Sequence, residues 1–345
     1  MKIACIKCGE PYPDSGVPYK CPSCGGLYDY VEPFTYDPRR PKLQTDSVSL
    51  GEGNTPLLSS KVFGSEVYFK CEYLNPTGSF KDRGTVTLIS FLRLRGVTEA
   101  IEDSSGNAGA SFAAYAARTG IKARVYVPDS ASGPKRKQIE AYGAEIMPIP
   151  GPRSKASEEV MRVAQSGIAY ASHAYLPFNL PGYATCAYEI FEQLGREPGA
   201  IIVPAGQGGF LLGIARGFEA LLYADKIQKM PMIVGVQASA CAPLYALWKT
   251  GTMNDVAESP TIAEGVRTRR PVRAEAVVEI TRRSGGRFVS TDEAFILSGR
   301  DALARLGFYV EPTSALVWPA LEESISSLPD PVVVVLTGSG LKYLS

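Results

Sequence analysis

The sequence predicts an α/β protein in which two domains of largely parallel sheet face each other across a cleft, preceded by a small cysteine-bearing module. Three observations carry this. Short β-branched runs such as Arg124-Val125-Tyr126-Val127, Ala200-Ile201-Ile202-Val203 and Val332-Val333-Val334-Val335-Leu336 lack polar alternation, which suits strands buried on both faces. Helix-length segments separate most of them, and the alternation runs for roughly two hundred residues, enough for two cores. Two closely spaced cysteine pairs stand ahead of that pattern.

Taken in order, Cys5-Ile6-Lys7-Cys8 and Cys21-Pro22-Ser23-Cys24 are Cys-x-x-Cys knuckles separated by 12 residues, and each is followed by glycine (Gly9; Gly25-Gly26). Four thiolates so spaced suit a closed, tetrahedral, structural zinc site; disulfides or a redox pair fit a cytosolic chain less well. A closed site leaves no position for substrate, so Cys5, Cys8, Cys21 and Cys24 read as a fold staple. Cys71, Cys186 and Cys241 are isolated and read as small buried residues. The expected organisation is a metal module over 1–33, an N-terminal α/β domain with a mobile subdomain over 34–180, and a C-terminal α/β domain over 181–345. Residues 31–50, rich in Pro, Tyr and charge, form a linking arm.

Further strands are expected at Val67–Lys70, Ala100–Asp103, Glu145–Pro148 and Met232–Val236, and helices over 83–95, 107–119, 134–142, 154–166, 183–194, 209–223, 292–306 and 313–325. The 36 basic and 35 acidic side chains nearly cancel, so charge offers no case for nucleic acid or an anionic membrane surface. No apolar run reaches spanning length and the N-terminus has no signal-peptide segment, so the expected location is the cytoplasm. His173 is the one histidine, which excludes chemistry needing two imidazoles.

In parallel sheets ligands sit beyond the carboxyl ends of the strands, and the polar chemistry collects there. Asn75-Pro76-Thr77-Gly78-Ser79-Phe80-Lys81-Asp82-Arg83-Gly84 reads as strand, tight turn and helix start, with Ser79 and Asp82 as a capping box. Lys81 falls in the first helical turn, where the dipole disfavours a cation and so suits a lysine that works as a neutral amine; a solvated surface lysine is the plainer alternative. Ser104-Ser105-Gly106-Asn107-Ala108-Gly109 offers hydroxyls and free N–H groups at a helix N-terminus, apt for a carboxylate, with simple capping by Ser105 or Asn107 as the alternative. Gly206-Gln207-Gly208-Gly209 lets backbone wrap a phosphate; it meets neither the dinucleotide fingerprint nor the P-loop spacing, so a single phosphate ester fits better. Leu336-Thr337-Gly338-Ser339 ends the most apolar strand with hydroxyls able to meet a neutral ring nitrogen, or forms a bland turn.

Together with Glu52-Gly53-Asn54-Thr55-Pro56-Leu57 and Glu311-Pro312-Thr313-Ser314-Ala315, these motifs resemble the fold-type II pyridoxal-phosphate enzymes (the tryptophan synthase β-like fold) and, within them, the threonine synthase family, many archaeal-type members of which carry an N-terminal zinc ribbon. The resemblance covers essentially the whole chain. It implies pyridoxal 5'-phosphate as cofactor, held as a Schiff base on Lys81, with Asn107 on the ring hydroxyl, Gly206, Gln207, Gly208 and Gly209 on the phosphate and Thr337 at the ring nitrogen. Ser104, Ser105 and Gly106 would take the substrate carboxylate. The implied reaction is a lyase-type conversion of O-phospho-L-homoserine and water to L-threonine and phosphate, with Lys81 moving protons at Cα and Cβ, in a homodimer with a small amino-acid substrate. A hydroxyl at the ring nitrogen favours elimination and replacement over transamination.

The chain departs from the family at the substrate. His173-Ala174-Tyr175-Leu176-Pro177-Phe178-Asn179 stands where the family commonly has Asn-Ser-x-Asn-Pro-x-Arg, so Asn179 replaces the arginine, and Ala108 replaces a threonine. His173, Asn179, Arg83 and Arg267 are the expected substrate contacts, with Lys135, Arg136 and Lys137 as further compensating cations. The alternatives are a serine/threonine dehydratase or racemase, a β-replacement enzyme acting on O-phosphoserine, and a non-catalytic binding or regulatory protein on the same fold.

Overall fold

The computed structural model describes residues 2–37, 48–131, 133–253, 256 and 259–343, so much of the linking arm lies outside the described residues. Strands β1 (Ile3–Cys5) and β2 (Tyr28–Tyr30) pair antiparallel and frame the two knuckles. β3 (Leu57–Val62) and β4 (Ser65–Lys70) form a hairpin and lead to α1 (Lys81–Leu94).

A four-stranded parallel sheet follows. Its elements are β5 (Glu99–Glu102), α2 (Asn107–Thr119), β6 (Lys122–Pro128), α3 (Pro134–Ala141), β7 (Glu145–Ile149), α4 (Arg153–Ala164) and β8 (Ala169–Tyr170), in strand order β7-β6-β5-β8. The chain continues through α5 (Leu180–Leu194), β9 (Ala200–Pro204), α6 (Gly209–Tyr223), β10 (Met232–Ala238), α7 (Pro243–Thr250), α8 (Ala274–Arg283) and β11 (Arg287–Thr291). It closes with α9 (Ile296–Arg305), α10 (Pro312–Ala315), α11 (Val317–Ser324) and β12 (Val332–Val335). The second sheet runs β11-β10-β9-β12-β4-β3, parallel except for the β3–β4 hairpin at its edge.

β12 shows why these runs are apolar throughout. Val333 and Val335 enter one core with α5 and α6, while Val332 and Val334 enter the other with α9 and α11. Both faces of a central strand are covered, so no position is left for a polar residue. The hairpin β3–β4, early in sequence, hydrogen-bonds to β12 in this late sheet, and that pairing carries the chain directly from β4 to the cleft. α7 and α8 were not foreseen. α8 is strongly one-sided, with Ala274, Val277, Val278 and Thr281 buried, but its arginines obscured the apolar stripe.

Candidate active site

The stretch after β4 is assembled by contacts distant in sequence. Gly78 adopts φ +85°, and a Cβ there would lie 2.9 Å from Lys342 Cδ. Ser79 bridges Gly338, and Phe80 N donates to Thr337 O at 3.0 Å, which fixes the start of α1 against the end of β12. The expected capping box is not formed. Phe80 precedes the helix without a side-chain cap, and Asp82 accepts instead from Thr77 N and Thr77 Oγ1, both at 2.7 Å, and from Ser111 Oγ at 2.6 Å. The turn folds Thr77 over the first helical turn, so Asp82 finds nearer donors than Ser79.

Successive helical residues point about 100° apart, so each residue here does something different. The Phe80 ring stacks on Phe210 at 4.2 Å, and Lys81 lines the pocket. Arg83 is buried between Glu72 and Glu189. Gly84 makes room for Tyr183, whose ring would lie 2.5 Å from an added Cβ.

The pocket lies at the strand ends of both sheets, and its wall includes Lys81, Ser104 to Asn107, His173, Gly206 to Gly209 and Thr337. The α2 N-terminus is preceded by Gly106 with no side-chain cap, so Ser105 and Asn107 are not spent on capping. α6 starts the same way after Gly208, at φ +78°. A Cβ on Gly206 would lie 2.7 Å from Gly265 O, and one on Gly208 2.7 Å from Val277. Only glycine fits at either position, and both line the pocket at the N-terminus of α6, where an anion is favoured.

Among the described residues, four buried polar atoms around the pocket have no hydrogen-bond partner: Glu311 Oε2, which has its ion pair with Lys135, and Ser79 Oγ, Asn107 Oδ1 and Thr337 Oγ1. Buried groups are rarely left so. Asn107 Nδ2 is taken by Glu311 Oε1 at 2.8 Å and Thr337 N donates to Ser314 Oγ at 2.8 Å, so the orphaned atoms are the ones free for a ligand. Asn107 and Thr337 are the residues expected at the ring hydroxyl and ring nitrogen of pyridoxal phosphate. With the glycine cradle and Lys81, the donor set fits that group.

The electrostatics make the lysine easier to deprotonate. Burial pushes the Lys81 ammonium down to about 8; the Glu102 carboxylate opposes that and Arg153 adds to it. Burial pushes Glu102 up to about 7. His173 Nδ1 lies 3.0 Å from Glu102 Oε1, and burial followed by the Lys81 charge holds its pKa well below the ordinary histidine value, so the ring is neutral. Lys135 reaches Glu311 Oε2 at 2.8 Å.

Three expected substrate residues do not line the pocket. Arg83 is consumed by its carboxylates. Asn179 is buried and its Nδ2 donates to His173 O at 2.6 Å, supporting the loop from behind. Arg267 is exposed, while its neighbours Val266 and Thr268 reach the wall. Of the compensating cations, Lys135 lines the pocket, while Arg136 pairs with Glu140 at 3.1 Å. Sequence reasoning missed Arg153, the first residue of α4, which lines the pocket. No motif marks it; only the fold of the small sheet brings it there. Glu102 was likewise read as strand alone, although it directly precedes the Asp103-Ser104-Ser105 turn.

Away from the pocket, the sulfur atoms of Cys5, Cys8, Cys21 and Cys24 all lie within 4.8 Å of one another. Gly9 and Gly25 adopt φ +77° and +70°, and a Cβ on Gly26 would lie 2.7 Å from Cys5 Sγ. The glycines after each knuckle thus let the four thiols converge, a donor set that suits zinc.

Comparison with known proteins gives the same picture. Residues 48–338 match the family described as Pyridoxal-phosphate dependent enzyme. Threonine synthase from Methanocaldococcus jannaschii is 34% identical, with 99% of this chain and 93% of that protein aligned. Threonine synthase from Bacillus sp. is 36% identical over 87% of this chain and 86% of that protein. Among solved structures, a threonine deaminase from T.th. superposes with a TM-score of 0.72 at 28% identity, covering 85% of this chain and 94% of that one. Maize serine racemase superposes at 0.74 with 22% identity, covering 85% and 90%, a likeness of fold.

Proposed function

The chain belongs to the pyridoxal-phosphate dependent enzyme family, and from that premise we propose that it converts O-phospho-L-homoserine and water to L-threonine and phosphate. It is a threonine synthase-like, pyridoxal-phosphate-dependent lyase. The observation that carries the choice of substrate is the cation Arg153 on the pocket wall, in addition to Lys81, the Lys135–Glu311 ion pair and the glycine cradle. A phosphorylated amino acid brings a second anion to meet Arg153, and serine or threonine brings none.

When bound, the cofactor supplies an electron sink for a carbanion at Cα. The remaining work falls to side chains. The Gly206 to Gly209 backbone would bind the cofactor phosphate, Asn107 the ring hydroxyl and Thr337 the ring nitrogen. The Ser104-Ser105-Gly106 turn would hold the substrate carboxylate. Lys81 Nζ, whose proton burial makes easier to lose, would hold the cofactor covalently and then take the Cα proton and later a Cβ proton. His173, backed by Glu102, would face the substrate side chain.

In the same reading the four cysteines hold one structural zinc, and the enzyme acts in the cytoplasm as a homodimer. The chain divides into a metal module over 1–33, an N-terminal domain over 34–180 whose first hairpin is lent to the larger sheet, and a C-terminal domain over 181–345. The test offers O-phosphohomoserine, O-phosphoserine, serine and threonine separately. Threonine and phosphate from the first alone are expected. Ammonia and a 2-oxo acid from unphosphorylated serine or threonine would move the assignment to a dehydratase, whose fold the threonine deaminase shares. Phosphate release from O-phosphoserine would move it to β-replacement.

A further inference from the structure

We propose that the four-cysteine module positions the 172–179 loop of the pocket, acting through Tyr12, Tyr19 and Arg273. The proposal rests on reading His173 as a substrate-facing residue.

The 12 residues between the knuckles carry two tyrosines, and both reach out of the module to the same place. Tyr12 meets the Phe178 ring edge-on at 5.1 Å. Tyr19 meets Tyr175 at 5.4 Å and Tyr170 at 5.3 Å, also edge-on. The Lys20 ammonium lies 5.0 Å from the centre of the Tyr175 ring. The module therefore contributes aromatic neighbours to both ring-bearing residues that follow His173 in the loop.

Arg273 closes the connection through the backbone. It is only 6% exposed, and its Nη2 donates to Tyr28 O in β2 at 2.8 Å and to Tyr175 O in the loop at 2.9 Å. Its Nη1 lies 3.1 Å from Asp29 Oδ2, and Asp29 is held from the other side by Arg216 at 2.7 and 2.9 Å. The preceding residue, Val272, donates its N–H to Gln207 Oε1 in the glycine cradle at 3.1 Å. Residues 272 and 273 thus join the module, the loop and the cofactor cradle.

The loop needs such support. Between β8 and the 3-10 turn Pro177–Asn179 it has no ladder or helix. Its internal bonds are local: Ala174 N and Tyr175 N to Ser172 Oγ at 3.3 Å each, Leu176 N to Ser172 O at 3.2 Å, and Asn179 Nδ2 to His173 O. A segment without regular hydrogen bonding takes its order from what packs on it, and misplacing a substrate-binding group by about 1 Å can cost up to ~100-fold in rate. Tyr12 also meets Phe91 of α1 at 5.9 Å, but both tyrosines and Arg273 converge on the segment that carries His173, which a staple for the whole fold does not require.

The experiment uses the holoenzyme with Tyr19→Ala and Arg273→Leu, and Tyr19→Phe as the conservative control. Amide hydrogen exchange is read at 172–179 and in β9 and β12, alongside kcat and KM for O-phosphohomoserine. Exchange at 172–179 is expected to quicken about tenfold in both variants while β9 and β12 stay at wild type. KM should rise about tenfold with kcat within about threefold, and Tyr19→Phe should restore both. Treating wild type with a metal chelator should quicken the same amides first. Unchanged exchange at 172–179 in both variants would overturn the proposal. So would equal loss of protection in β9 and β12, the signature of a general staple. Should wild type fail to turn over O-phosphohomoserine while the exchange pattern appears as expected, the substrate assignment falls and the positioning role stands.

Discussion

Replacing Arg83 by methionine separates a structural arginine from a substrate-binding one. In the structure its guanidinium donates to Glu72 at 2.6 and 2.7 Å, to Glu189 at 2.6 and 2.9 Å, and to Thr185 Oγ1 at 2.9 Å. Lys70 completes the cluster, 2.9 Å from Glu189 Oε2. Once Arg83 is gone, Glu189 keeps Lys70 and the Asn54 N–H at 2.8 Å. Glu72 keeps only neutral donors, Thr55 Oγ1 at 2.6 Å and Asn75 Nδ2 at 3.0 Å. One fully buried carboxylate is thus left without a cation in contact. Removing one partner of a buried pair costs about 3–5 kcal/mol; because only one carboxylate is stranded, the lower part of that range is expected. With a slope of about 3 kcal/mol per molar in urea, the unfolding midpoint should fall by about 1 M.

The pH dependence carries a sign. Burial works against the Glu72 carboxylate, yet Arg83 holds its pKa below the ordinary value in the wild type. In the variant burial prevails and the folded-state pKa rises above the unfolded one. The penalty is then full above the raised folded-state pKa and shrinks as pH falls through it toward the unfolded value of about 4.3, so the gap between the two proteins is wide at pH 7.5 and narrower at pH 5. Urea titrations at pH 7.5 and 5 by far-UV circular dichroism read this directly. A variant that keeps its midpoint but loses affinity for O-phosphohomoserine would refute the reasoning and return Arg83 to the substrate.

Cofactor-free enzyme should reload pyridoxal phosphate at a rate that climbs with pH up to about 8 and then levels, because only the neutral Lys81 amine attacks the aldehyde; a stopped-flow absorbance profile still climbing at pH 10 would contradict the shifted lysine. Protein purified without chelator should carry about one equivalent of zinc, lost in Cys21→Ser, and metal analysis finding less than about half an equivalent in wild type would count against the four-thiolate site. Gly84→Ala should cost about 1–3 kcal/mol and lower cofactor occupancy, since the new Cβ would lie 2.5 Å from the Tyr183 ring and 2.8 Å from Asn179 Cβ, forcing α1 away from α5; unchanged melting and absorbance would show that the helices part freely.

Much of the cleft was legible because its chemistry is local. A glycine that frees backbone, a hydroxyl at a strand end and a lysine in a first helical turn each announce themselves within a few residues. Lys81, the Ser104 to Asn107 turn, the Gly206 to Gly209 cradle and Thr337 accordingly meet in one pocket. The capping box misled because its pattern is equally local, while the real partner of Asp82 depends on a turn that β12 and Lys342 press into shape. Arg83 misled for a related reason: nothing beside it in the chain shows that Glu189, 106 residues away, is waiting for it.

By itself, then, the sequence determined the parallel α/β class, the family and the cofactor, and it singled out Lys81, which lines the pocket. The class follows from short-range patterns of apolarity that strand geometry imposes, and the family and cofactor from the resemblance that the local glycine and hydroxyl motifs carry. Tertiary structure alone decided which cations line the pocket. Arg153 enters and Arg83 withdraws, because a buried charge goes where its long-range partners leave the lowest electrostatic cost, and the neutral Asn179 turns away to bond His173 O. It also decided that the cysteine module leans on the His173 loop, through tyrosines whose neighbours lie more than a hundred residues away.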